Sequence, residues 1–285
     1  MPMRSSVRIA WIAVGGALTA LTVSGIALAG WSEVSRTQAT GDRYDTSLLR
    51  PATLSEASVR EYTFTSPELV LRTSGRVNIS IVPGKAGQIS MKREIIWSEG
   101  APGLSGGKPS MSETWNGRTL QLTVGCPEKV RPHESPCRAE YTLTLPSATD
   151  VEASTHFGSV SAHGVRGDLR LSTASGEVTV ADAEGALRAR AGSGKVTGTG
   201  LRSAVADVEV GRGDVVLGFQ RAPEDVRAVA GEGGDVEVTV PDGDGYRVDA
   251  RAGRSVVEVR RDQAASRRIT ALAPEGELWI LPYRP

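Results

Sequence analysis

From Glu61 onward, apolar and polar positions alternate with a period of two, which sends successive side chains to opposite faces of an extended strand. Tyr62-Thr-Phe-Thr, Glu68-Leu-Val-Leu and Val77-Asn-Ile-Ser-Ile read this way, and Pro83-Gly84 ends the run with a turn signal. A further strand is predicted from Gln88 to Trp97, then a Gly/Pro/Ser-rich exposed loop from Glu99 to Ser110. Thr119–Val124 and Ala139–Leu145 alternate again. No apolar stretch beyond the N-terminus holds helical spacing for long, so long helices are not expected there.

The second half repeats. Gly158-Ser-Val, Gly176-Glu-Val, Gly194-Lys-Val, Gly213-Asp-Val and Gly234-Asp-Val follow one another at 18, 18, 19 and 21 residues. Gly253-Arg-Ser-Val comes 19 later, and Gly276-Glu-Leu-Trp-Ile closes the series. A weaker phrase lies between them, as in Gly167-Asp-Leu-Arg-Leu and Gly185-Ala-Leu-Arg-Ala. Each period therefore holds two short strands, each introduced by a turn. One period cannot bury its apolar side alone, whereas stacked periods align Val178, Val196, Val215 and Val236 into an internal ladder. The predicted architecture is an all-β β-solenoid of two-strand coils of roughly 18–21 residues, preceded by antiparallel strands. Glycine before each strand suits a tight corner or a positive φ.

The N-terminus departs from this pattern. Arg4 and Arg8 precede an uncharged stretch that runs to Ser32, and its apolar part, Ile9 to Gly30, would span roughly 33 Å as a helix. The expected layout is a short cytoplasmic tail (1–8), a transmembrane signal-anchor helix (9–31), a polar juxtamembrane linker (32–60) and an extracytoplasmic domain (61–285), with the charge bias favouring an N-in orientation. Ala27-Leu28-Ala29 also fits a signal-peptidase site, so secretion after cleavage near Ala29 stays open. No Cys stands there for lipid attachment.

Composition agrees with exported β structure. Gly numbers 33 and Pro 15 while aromatics are only 5%, which suits short strands and tight turns. Lys+Arg and Asp+Glu are both 33, so no net field draws a polyanion and nucleic acid is not an expected partner. Cys126 and Cys137 are expected to form a disulfide pinning the mouth of a β-hairpin, for about 3 kcal/mol by loop closure. Two buried free thiols are the alternative reading.

The ordered series resembles the putative adhesin domain family of bacterial exported β-solenoid proteins. The resemblance covers about residues 65–282 and rests on Gly75-Arg-Val-Asn-Ile, Tyr141-Thr-Leu-Thr-Leu-Pro, the repeated Gly-x-Val phrases and Gly276-Glu-Leu-Trp-Ile. It implies a membrane segment at the N-terminus and supplies no catalytic residues. The excess of Arg over Lys and the abundance of Ala suit a GC-rich bacterium such as an actinomycete.

Motifs that could carry chemistry are each met by a plainer account. Gly103-Leu-Ser105-Gly-Gly107 has the nucleophile-elbow spacing, but no helix signal follows the serine. Gly192-Ser-Gly194-Lys195 lacks the first glycine of a phosphate loop, since position 189 is Ala, and Val196 stands where Ser or Thr would hold magnesium. Arg-Gly-Asp occurs at 166–168 and 212–214, open to an integrin reading, yet Gly-Asp also simply starts strands here. Asp242-Gly-Asp244-Gly resembles a calcium-loop fragment without its closing acid. His133 alone lies between the two cysteines, which does not make a ligand set, and neither His156 nor His163 has a Cys or Glu at ligand spacing. Asp168, Glu177, Asp214 and Asp235 could line up as an acidic stripe, although Lys195 interrupts it and a solvated mixed-charge face is the simpler expectation. The sequence thus predicts no catalytic, metal or cofactor-binding residue and no cofactor. The expected function is a non-catalytic binding or structural protein of the bacterial envelope, with a wall component or another envelope protein as partner. An accessory sensor or regulator of envelope signalling, or a polysaccharide-active β-helix enzyme, are the alternatives.

Overall fold

A computed structural model describes residues 53–98, 108–126, 137–243 and 245–283. The described chain is all-β. Its strands are β1 (Thr53–Thr63), β2 (Glu68–Ser74), β3 (Val77–Gly84), β4 (Gln88–Ser98), β5 (Ser110–Trp115) and β6 (Thr119–Gly125). Then follow β7 (Arg138–Pro146), β8 (Asp150–Phe157), β9 (Val160–His163), β10 (Leu169–Ala181), β11 (Leu187–Leu201) and β12 (Val205–Arg212). The last are β13 (Val215–Phe219), β14 (Asp225–Glu232), β15 (Val236–Pro241), β16 (Arg247–Val257) and β17 (Arg268–Tyr283).

These strands stack in two columns. The first runs β5-β6-β2-β8-β10-β11-β12-β14-β17-β16; the second runs β1-β4-β7-β3-β9-β10-β11-β13-β15-β17-β16. Strands β10, β11, β16 and β17 turn the corner and serve both columns, so all are joined in one sheet. Pairing is parallel except for β1–β4, β4–β7 and β5–β6. The two columns share one core, because the inward residues of both belong to a single buried cluster.

The repeat explains the parallel pairing. In the second column Ile79, Val160, Val178, Val196, Val215, Val236 and Leu278 are register partners in succession. Val178, Val196, Val215 and Val236 are all fully buried, as the sequence predicts. Strand alternation supplies this: the flanking Thr179, Thr197, Val216 and Glu237 face outward and none is buried. At the corner, the rungs approach so closely that a Cβ on Gly176 would lie 2.0 Å from the Gly158 carbonyl oxygen, and Gly176 has φ of 150°. Just inside, the Thr173 hydroxyl donates to that same carbonyl at 2.9 Å, and Thr155 donates to Val77 O at 3.1 Å.

Chain order and stacking order differ at both ends. The rung formed by β2 and β3 lies between β6/β7 and β8/β9, and β17 lies between β14/β15 and β16. The first end is closed by β1, β4 and β5. Trp115 on β5 packs against Tyr62 and Phe64 with ring centroids 5.3 and 6.2 Å away. Beside it Glu113, almost wholly buried, bonds Arg93 at 2.6 Å, pairs with Arg60 at 3.0 Å and accepts the Tyr141 hydroxyl at 3.3 Å. Glu56 on β1 is paired with Lys108 and lies 3.9 Å from Arg93.

Three expectations are corrected. The first described strand starts at Thr53, not Glu61, so residues 53–60 belong to the sheet rather than to the linker. Alternation is masked there because the half-buried positions of β1 include Glu56 and Ser58 among Leu54 and Tyr62. The strands flanking the cysteines form no hairpin: β6 pairs with β5 and β2, whereas β7 pairs with β4 and β3. They are the two legs of one rung. The neighbouring rung turns from β2 to β3 through Gly75 and Arg76 alone. The third correction concerns the aligned acids, whose place is given below. The expected tail and helix at 1–31 and the rest of the linker lie outside the described residues.

Candidate functional site

Corner residues stack into their own ladders, and these decide what the sequence motifs do. Asp150 Oδ1 accepts the Asp168 N–H at 2.8 Å, and Asp168 Oδ1 accepts the Ala186 N–H at 2.9 Å. At the other corner Asp214 accepts from Asp235 N–H at 3.2 Å, and Asp235 accepts from Glu277 N–H at 2.8 Å. Asn78 does the same for Ser159 N–H at 3.0 Å. Asp168, Asp214 and Asp235 are thus neither an acid/base stripe nor a merely solvated face; each pairs with a backbone donor of the next rung. Both Arg-Gly-Asp aspartates are held this way, and Arg166 bonds Ser147 Oγ at 2.9 Å. The mixed-charge face lies instead on the first column, where Arg190 and Arg227 hold Asp207 at 2.9 and 3.0 Å and also engage Glu209.

The disulfide between Cys126 and Cys137 is present, with the two Cα atoms 5.8 Å apart. It holds residues 126 and 137 at corner distance, where the neighbouring rung turns in two residues. Immediately beyond it, Arg138 leads into β7.

One corner row carries three arginines and a phenylalanine. The residues three positions before the inward ladder residues stack as Arg138, Arg76, Phe157, Ser175, Ser193 and Arg212. Phe157 is 52% exposed, although the ring is apolar. Arg138, Arg76, Phe157 and Ser175, with Asn78, Cys137 and Gly158, line a cleft of about 320 Å³. That is near the lower end of ordinary small-ligand sites, which span roughly 300–1,000 Å³. Asn78 also lines a second hollow of about 240 Å³, walled by Ser80, Thr142, Ser159, Ser161 and Glu140. The two hollows therefore adjoin.

From there an outward row runs along the second column from β7 to β16: Thr142, Ser80, Ser161, Thr179, Thr197, Val216, Glu237, Trp279 and Val256. Parallel pairing sets their spacing at about 4.8 Å. The first five carry hydroxyls; Val216, Trp279 and Val256 then make the row predominantly apolar. Of the other sequence motifs, Lys195 follows Gly194 in a strand without any helix end to bind phosphate. His163 lies 3.6 Å from Asp182, and His156 packs edge-on to Phe157 at 5.1 Å. Among the described residues, no three His, Cys, Asp or Glu side chains gather as a metal site. Gly103–Gly107, His133 and Asp244 lie outside the described residues.

Sequence reasoning missed the cleft because its residues come from four separate strands. The signal was available at the position three residues before each inward ladder residue (Ile79, Tyr141, Val160 and Val178), which reads Arg76, Arg138, Phe157, Ser175 down the sequence.

No protein-family model and no curated protein matches the chain. Solved structures similar to it include a putative cell adhesion protein from Clostridium sporogenes, at 14% identity, covering 80% of this chain and 100% of that one, with a TM-score of 0.34. A putative adhesin from Bacteroides fragilis is similar at 15% identity, over 80% and 97% of the two chains, with a TM-score of 0.39. A putative lipid binding protein from Parabacteroides distasonis is similar at 9% identity, over 80% and 97%, with a TM-score of 0.36.

Proposed function

We propose that the chain is a β-solenoid envelope protein that works without catalysis, by binding an extended partner along the outer face of its second column. The observation that carries this is the unbroken outward row from Thr142 to Val256, which presents hydroxyls, then apolar surface, on a rigid hydrogen-bonded platform. A stacked repeat keeps such side chains at fixed spacing, so a polymer can engage many at little ordering cost. The apolar stretch at Ile9–Gly30 and the Cys126–Cys137 disulfide support an extracytoplasmic domain tethered to the membrane, with wall polymer or another envelope protein as partner.

The test is retention of the purified full-length chain on isolated cell-wall polymer. Thr179→Arg combined with Thr197→Arg places bulky charge in the middle of the row without touching the core. Loss of retention in that variant is the expected result. Retention equal to the unaltered chain would remove this face from the reading.

A further inference from the structure

We propose that the open edge of β16 is a homodimer interface, on which a second copy of this chain pairs its own β16 antiparallel, with Ala250 set against Ala250. This goes beyond the binding reading above and does not depend on it. The two ends of the stack are finished differently. Strands β1, β4 and β5 close the first, with Trp115 packed against Tyr62 and Phe64. At the other end Val248, Ala250 and Ala252 point inward but are only half-buried, whereas their register partners Ile269, Ala271 and Ala273 are fully buried. The core is left open there by one rung. The Arg247 N–H donates to Arg267 O at 2.9 Å, which turns the backbone groups of residues 247, 249 and 251 toward β17 and those of 248, 250 and 252 toward the edge. Among the described residues no strand lies beyond them. Tyr246 is covered, since its N–H donates to Arg260 O at 3.0 Å and its carbonyl accepts from Asp262 N–H at 2.9 Å, so the open stretch begins at Arg247.

An open edge is a template for another strand, and exposed charges along it ordinarily discourage pairing. Here the order of the charges selects one occupant. Arg247, Asp249 and Arg251 all face outward and are exposed. Antiparallel pairing centred on Ala250 sets Asp249 of each copy opposite Arg251 of the other, Val248 opposite Ala252, and Arg247 opposite Gly253. Centring on Asp249 instead opposes the two Asp249 side chains and sets Arg247 against Arg251; centring on Arg251 opposes the two Arg251 side chains. Both registers place like charges directly across the strands, which destabilises them. The Asp249–Arg251 hydrogen bonds within one strand, at 3.2 Å, do not compete: the pair is mostly exposed and weak, and pairing across adds an opposite charge beside each member without breaking it. Arg254, beyond the paired stretch, lies 3.8 Å from Glu277. The same two-fold register makes residues 248, 250 and 252 the hydrogen-bonded pairs, so the edge-facing backbone groups find partners as the two open cores meet. A foreign strand needs this Asp-x-Arg order of its own; a second copy carries it already.

The experiment is sedimentation velocity of the purified full-length chain in mild detergent, repeated for Asp249→Arg, for Arg251→Asp and for the two combined, with melting curves to verify folding. The unaltered chain and the combined variant are expected to be dimers. Each single variant opposes like charges and is expected to lose about tenfold or more in dimer affinity. A monomeric unaltered chain overturns the proposal. So does a dimer that the single variants leave unchanged, which would place association elsewhere, residues 1–52 included. Register is read separately by oxidation of single-cysteine variants. In Ala250→Cys the paired Cα atoms stand about 5.5 Å apart, within disulfide reach, and a covalent dimer is expected. In Ala252→Cys the two positions lie about 13 Å apart along the strands, and none is expected. Cross-linking of both variants alike, or of neither, overturns the register.

Discussion

A Cβ on Gly194 would stand 1.9 Å from the Gly176 carbonyl oxygen, so these two residues touch backbone to backbone across successive rungs. Gly194→Ala must therefore push two rungs apart and also hold an L residue at φ of 134°. Strain and overpacking together predict a loss of about 3 kcal/mol or more. Gly87 provides the comparison, with φ of 82° and open space around it, so Gly87→Ala is expected to cost only the strain, about 1–2 kcal/mol. Urea denaturation of the two variants measures the difference.

The turn acids give a finer contrast. Asp235→Asn keeps an oxygen for the Glu277 N–H and is expected to be near neutral; Asn78 already fills the equivalent role for Ser159. Asp235→Ala leaves that donor unpaired and is expected to cost about 1–2 kcal/mol. Equal melting temperatures for the two variants would show that the hydrogen bond is not what this position supplies.

Removing the disulfide by Cys126→Ser with Cys137→Ser is expected to cost about 3 kcal/mol by loop-closure entropy. The loss should be local. Hydrogen exchange is expected to quicken in β6, β7 and the Arg76 corner while the amides of Val178, Val196 and Val215 keep their protection. Uniform acceleration over the whole chain would contradict that placement.

Alkaline stability should depend on Tyr141. Burial, then the nearby Glu113 carboxylate, raises its phenol above the ordinary value of 10.0. A raised folded-state value means the neutral phenol is favoured by folding. The contribution is thus full below pH 10 and declines as pH rises beyond it, because the unfolded chain ionises first. Tyr141→Phe is expected to flatten this alkaline decline, read by chemical denaturation at stepped pH.

The acid side is expected to be set in part by Glu56, whose carboxyl is lowered from its ordinary range by its hydrogen bond to Lys108. A lowered folded-state value gives stability above the ordinary carboxylate range that is lost as pH falls through the folded value. Glu56→Gln should diminish that acid-side loss, seen as a shallower slope of melting temperature against pH.

The valine ladder was legible because its signal is a repeated identity at nearly constant spacing: Val178, Val196, Val215 and Val236 could be aligned without knowing what surrounds them. The corner glycines were legible for the same reason. Asp168, Asp214 and Asp235 were visible as a series, but an acid at a turn looks the same whether its oxygens meet water or the next backbone N–H. The positions of β2 and of β17 could not be read, since a two-column rung matches any rung above or below it. Nor did Thr119–Val124 and Ala139–Leu145 reveal that they belong to different columns; two alternating runs around a proline-rich detour carry the signature of a hairpin too. The corner cleft required that knowledge, because Arg138 stands beside Arg76 only when β7 is known to lie over β3.

Strand β17 joins β16 to the rest of the sheet, since among the described residues β16 pairs with no other strand. The chain therefore cannot zip shut in the order in which a ribosome delivers it. Residues 247–257 must wait, one berth beyond their nearest settled neighbours, until residues 268–283 arrive to fill the gap. Completion at this end is a late event in the life of the polypeptide, whatever happened earlier along it.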